Sequence, residues 1–184
     1  MLIKWRNVNM SKVVEQIENT LMGLKEHGVL ENEIIKRYEK KILSLKNAEL
    51  SYVFAKNVKG FDVKAHGQVI IECKEPEWNY KFAKDVKGAD VKAHEKVIIE
   101  SKDPEWNYVF ANHVKGADVI AHGQVIIKSK NSAYNDRFKE NFKDEYKIIE
   151  RNNFIDGAYN FIDDVLDEVI KKNNEENKSM QKRS

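Results

Sequence analysis

The chain has 184 residues, 34% charged and 41% hydrophobic, which supplies enough apolar chain for one ordinary core and excludes a disordered composition. Its 32 basic and 30 acidic residues leave a net charge of +2, so the balance predicts neither a strong nucleic-acid binder nor a membrane-surface protein. One cysteine rules out an intrachain disulfide framework, two prolines and eight glycines are too few breakers for an all-β chain, and no apolar run approaches the roughly 18–20 residues that span a bilayer.

The opening segment "MLIKWRNVNM" lacks the apolar core of a signal peptide, so a cytoplasmic protein is expected, with either Met1 or Met10 as its natural start. A helix is expected from Ser11 through Val13, Val14, Ile17, Leu21 and Leu24, closing near Gly28. A second is expected from about Glu31 to Leu45, and residues 1–47 together read as N-terminal capping helices.

From Ala48 the chain repeats. Three copies align without gaps as Ala48–Glu75, Pro76–Asp103 and Pro104–Asn131; the last two share 20 of 28 residues and the first two 18, too close a match for chance. A half-repeat precedes them, Ile35, Ile42, Leu43 and Lys46 matching Val63, Ile70, Ile71 and Lys74. Each unit reads as two short helices. In the third copy Asp103-Pro104-Glu105 is a helix start, with Asp as N-cap, Pro at the first helical position and Glu at the positive end of the dipole. Helix A buries Trp106, Phe110 and Val114 and is expected to end at Lys115-Gly116, a cation in the last turn followed by glycine in the left-handed position. Asp118 caps helix B, whose Val119, His122, Val125 and Ile126 share one side. A unit of this size cannot bury its apolar face alone, whereas stacked units can. The expected fold is therefore all-α, an α-solenoid of stacked short antiparallel helix pairs with N- and C-terminal capping helices.

Beyond the array, Tyr134, Asn135 and Phe138 fill the columns of Trp106, Asn107 and Phe110, so 132–172 reads as a degenerate repeat and a capping helix. One helix is expected over about Ala133–Glu150 and another over about Asp156–Lys172, the latter with Ala158, Phe161, Ile162, Val165, Leu166, Val169 and Ile170 on one face and Asp156, Asp163, Asp164, Asp167 and Glu168 on the other. The polar tail at 173–184, "NNEENKSMQKRS", is expected to be disordered.

The tandem "FAKDVKGADVKAHEKVIIESKDPEWNY" units resemble a short helical-hairpin repeat found in hypothetical bacterial and phage proteins, over roughly Ala48 to Phe138. The resemblance implies helical-hairpin stacking and carries over no catalytic residue. It also suggests a small mobile-element protein that docks on and inhibits a host defence protein.

Candidate sites are few. His66, His94 and His122 fall in register, but equivalent positions on successive repeats lie about 8–10 Å apart or more, too far to converge on one metal. They read as a structural ladder packed with the Val and Ile side of helix B. Cys73 occupies the position of Ser101 and Ser129 and reads as a small helix-end residue; it and His66, two turns away, are too far apart for a thiolate–imidazole couple. The column Leu50, Trp78, Trp106 and Tyr134 reads as packing, because leucine offers no face for base stacking. No catalytic residue, metal site or cofactor is expected.

Fifteen columns are identical in all three copies, which makes the differing ones informative. In helix B these are Lys92, Glu95, Lys96 and Glu100 with their counterparts, spaced as one helical face and expected to meet solvent. Either these positions drifted freely or they form a binding face; on the second reading the partner-binding residues are Lys92, Lys96, His113, Ile120, Gln124 and Lys128. The favoured function is a non-enzymatic protein-interaction protein with an unidentified protein partner and no membrane association. The alternative is a nucleic-acid-binding repeat protein using the ladder Lys59, Lys87 and Lys115.

Overall fold

A computed structural model describes residues 32–181, with backbone alone at 32–34 and 173–181, together with six isolated helical positions between Gln16 and Glu26. Both candidate start methionines and most of the helix expected from Ser11 lie outside the described residues. Every regular element among the described residues is helical. In chain order these are α1 (Asn32–Leu45), α2 (Ala48–Asn57), α3 (Val63–Cys73), α4 (Pro76–Asp85), α5 (Val91–Ser101), α6 (Pro104–His113), α7 (Val119–Lys128), α8 (Ser132–Asn141) and α9 (Lys143–Gln181). They fall into two compact units, Met1–Asn135 and Asp136–Ser184.

In the first unit each repeat is one helix pair, α2 with α3, α4 with α5, and α6 with α7. The first helix of each pair also touches the first helix of the next, and the second touches the second. Helix α1 meets α2 and α3 as a preceding second helix would, in agreement with the half-repeat alignment. The caps are side-chain carboxylates and amides, as read from the sequence. Asp62, Asp90 and Asp118 accept from Ala65, Ala93 and Ala121 amides at 2.9, 3.1 and 3.0 Å, and Asp103 accepts from the Glu105 amide at 2.9 Å. Cys73 plays the helix-end part of its serine counterparts. Its Sγ donates to the Ile70 carbonyl at 2.9 Å as Ser101 Oγ does to Ile98 at 2.6 Å, and burial pushes its thiol pKa up.

Two helix ends differ from expectation. The first helix of each pair stops before the valine: α4 and α6 end at Asp85 and His113, and Val86 and Val114 are extended with φ −97° and −102°. Lys87 and Lys115 therefore lie in a turn, not in a last helical turn. The cause is burial, because leaving the helix one residue early turns Val58, Val86 and Val114 into the core. Glycine keeps its predicted left-handed geometry one position later in that turn, with φ +84° at Gly116, and the Ala117 amide closes the turn on the Val114 carbonyl at 3.2 Å. The second surprise is Lys74, Lys102 and Lys130, which take φ near +57°, +56° and +57° just past the second helix, as Lys46 does past α1.

Phe54, Phe82 and Phe110 with Ile70, Ile98 and Ile126 are fully buried and form the recurrent core layers; deleting one such ring costs about 3–5 kcal/mol. In the second unit Ile149 and Phe138 are fully buried. The two helices expected over 133–150 and 156–172 are replaced by α8, ending at Asn141, and one continuous α9 that runs through Gln181, nine residues into the tail expected to be disordered. No proline interrupts α9, and its single Gly157 costs only about 1 kcal/mol relative to alanine.

Candidate functional site

The three in-register histidines are wholly buried. Each ring lies against the phenylalanine of its own repeat, with centroids 5.1 Å apart for Phe54–His66, 5.0 Å for Phe82–His94 and 5.1 Å for Phe110–His122. An asparagine on the first helix of the pair completes the rung. Asn79 Nδ2 donates to the Ile70 carbonyl of the preceding repeat at 3.1 Å and to the Glu75 carbonyl at 2.9 Å. Both its donors are thus spent on carbonyls, so Oδ1 is the acceptor, and His94 Nδ1 donates to it at 2.8 Å. Asn107 repeats this, donating to Ile98 and Asp103 carbonyls at 3.0 and 2.8 Å and accepting from His122 Nδ1 at 2.7 Å. The ladder therefore ties each repeat to the one before. In the first repeat Ser51 replaces the asparagine, and neither Ser51 Oγ nor His66 Nδ1 finds a partner.

With Nδ1–H committed, a neutral imidazole presents a bare lone pair at Nε2. Burial lowers the pKa of all three histidines, that of His94 to about 4 against the opposing pull of Asp90. What faces Nε2 differs between rungs. On the third rung Glu95, only 4% exposed, holds Oε1 3.4 Å from His122 Nε2 while accepting from the Asp118 amide at 2.5 Å; its Oε2 accepts from Lys92 Nζ at 2.7 Å. On the first rung Glu39 of α1 does the same, with Oε1 3.5 Å from His66 Nε2 and accepting from the Asp62 amide at 2.5 Å. On the second rung the corresponding residue is Gly67. A β-carbon there would lie 3.4 Å from His94 Nε2 and 3.4 Å from Phe82 Cε1. In its place is a cleft of about 350 Å³ lined by Lys64, Gly67, Gln68, Phe82, Asp90 and His94 among others.

This corrects the reading of Glu95 as part of a solvent stripe: its carboxylate turns inward because the Asp118 amide and Lys92 compensate its burial. Of the other variable positions, Lys92, Lys96, His113 and Lys128 are exposed, and Ile120 and Gln124 are half-buried. His113 is held locally, Nδ1 donating to the Val109 carbonyl at 2.9 Å and the ring lying 6.4 Å from Tyr80. Asp85, in the same column, accepts from Tyr52 OH at 2.5 Å, so this column adapts to the preceding repeat's tyrosine. Trp78 and Trp106 are half-buried against Tyr52 and Tyr80, with centroids 5.7 and 5.8 Å apart. Lys59, Lys87 and Lys115 are exposed.

Among the described residues no three His, Cys, Asp or Glu side chains come together as a metal site, and no helix is long and apolar enough to cross a membrane. Sequence reasoning passed over Asn79, Asn107 and Glu39. The signal was present: Asn recurs at 79, 107 and 135, and extending the half-repeat alignment by four residues from Ile35 sets Glu39 in the column of Gly67 and Glu95.

No family model matches the chain, and no curated protein or solved structure shows significant similarity to it.

Proposed function

We propose that the chain is a non-enzymatic protein-interaction protein whose repeats stack as an α-solenoid of antiparallel helix pairs, closed at its N-terminal end by α1. Like-to-like helix contacts and the asparagine bonds between repeats support the stacking. One observation carries the interaction: α9 exposes a run of large apolar side chains, Phe154 at 78%, with Tyr159, Phe161, Ile162, Leu166 and Ile170 each at least half exposed. Ile148, Ile155, Ile162 and Val169 recur every seventh residue, the spacing that keeps an apolar seam facing a second helix. The partner is accordingly a protein that presents a helix.

Sedimentation and affinity capture with Ile162→Asp/Leu166→Asp test the reading. Loss of a defined protein complex, with helicity retained, supports it; a complex formed equally well by the variant contradicts it. The nucleic-acid alternative rests on exposed Lys59, Lys87 and Lys115. A salt-sensitive gel shift abolished by Glu at these positions would favour it over the protein partner.

A further inference from the structure

The alternation of Glu39, Gly67 and Glu95 in one column leaves the second rung incomplete. Every group that holds the Glu95 carboxylate has a counterpart around the Gly67 cleft. Lys64 stands three residues before Gly67 as Lys92 stands before Glu95. The Asp90 amide matches the Asp118 amide, and no acceptor for it is found among the described residues. His94 Nε2, on a fully buried ring, has no partner and borders the cleft.

We propose that this cleft binds a carboxylate group, held by the Asp90 amide, His94 Nε2 and Lys64 as Glu95 is held by the Asp118 amide, His122 and Lys92. The donor set argues against a cation, because Lys64 lines the same space. On the Glu95 pattern one carboxylate oxygen accepts from the Asp90 amide and lies beside His94 Nε2, and the other accepts from Lys64. Val63, Ile71 and Phe82 provide apolar wall for the carbon chain behind it. The group comes either from a free small acid or from a glutamate side chain of another protein.

His94 spends Nδ1–H on Asn79 and offers only a lone pair at Nε2 when neutral, so protonation of the ring strengthens carboxylate binding. The groups facing His94 are Asp90 at its own helix start, Lys64 of α3, and the uncharged Asn79 and Phe82 of α4. Affinity should therefore be flat above about pH 6.5 and rise as pH falls below it, because His122 keeps a lowered pKa even with the Glu95 carboxylate beside it.

The test is an amide-resolved NMR titration of the full chain with acetate and, separately, with a blocked glutamyl peptide, using chloride at equal ionic strength as reference. The expected result is a saturable shift of the Asp90 amide with at least one carboxylate probe, stronger at about pH 5.5 than at about pH 7 and absent in Gly67→Glu, whose own carboxylate fills the cleft. Tighter binding of acetate assigns the site to a free acid, and tighter binding of the peptide to a protein side chain. Exposed Lys64→Ala should weaken the shift several-fold, which keeps the test decisive if Gly67→Glu folds poorly. No saturable Asp90 shift with either probe, an equal shift with chloride, or a response unchanged in both variants overturns the proposal.

Discussion

The carboxylate of Glu95 lies 3.4 Å from the Nε2 of His122 and accepts from the amide that begins the helix carrying that histidine. A buried acceptor beside a neutral imidazole is tolerable only because the Asp118 amide and Lys92 supply donors. Glu95→Ala should then cost about 1–3 kcal/mol by urea denaturation, since it leaves the Asp118 amide unpaired. Exposed Glu100→Ala, on the same helix, should change stability by less than about 0.5 kcal/mol.

The rung without an asparagine makes the next prediction. Ser51 Oγ and His66 Nδ1 are both buried and unpartnered. Ser51→Asn should supply the missing acceptor and raise stability by about 1 kcal/mol, read as an increased urea midpoint. Asn107→Ala does the reverse, stranding His122 Nδ1 while the Ile98 carbonyl keeps Ser101 Oγ, and should cost about 1–3 kcal/mol. A neutral Asn107→Ala would mean that the ladder contributes nothing to holding neighbouring repeats.

Left-handed lysines are a removable strain. Lys102 has φ +56° just past its helix and an exposed side chain. Lys102→Gly should stabilise by about 0.5–1 kcal/mol, because glycine adopts this conformation without a β-carbon penalty and outweighs its own chain entropy there. A lowered melting temperature would show that the lysine side chain does more than occupy the turn.

Acid should weaken the fold through its histidines. His94 titrates at about 4 when folded, against about 6.5 for a histidine in an unfolded chain, and His66 and His122 are lowered in the same direction by burial. Between these values the unfolded chain binds more protons, so the contribution of neutral His94 is full above about pH 6.5, falls as pH drops towards 4, and is lost below. Each histidine contributes up to about 1.4 kcal/mol per pH unit. Urea midpoints measured from pH 7 to 4.5 should fall, and His94→Gln should reduce that slope by one proton's worth; a flat profile contradicts neutral burial.

Much of the helical architecture was legible because it is written in local chemistry. Asp at 62, 90, 103 and 118 marks helix starts, and the Phe and Ile columns mark the buried sides. The end of each first helix was misplaced because burial of Val86 and Val114, a tertiary effect, outweighed the glycine signal two residues later. The expected break at 151–155 is bridged because no proline falls there and asparagine costs at most about 0.7 kcal/mol per residue in a helix. Glu95 was misassigned for a different reason. Column spacing places it on one helical stripe with Lys92 and Lys96, but the next repeat covers that part of the stripe, which only packing reveals.

The most direct measurement exchanges the two rungs. In the double variant Gly67→Glu/Glu95→Gly the cleft closes beside His94 and opens beside His122, with the Asp118 amide and Lys92 now unoccupied by a carboxylate. An NMR titration with acetate at pH 6 should move the saturable response from the Asp90 amide to the Asp118 amide. A response that stays at Asp90, or appears at neither amide in a folded variant whose parent responds, would contradict the claim that this glutamate–glycine column decides where a carboxylate enters.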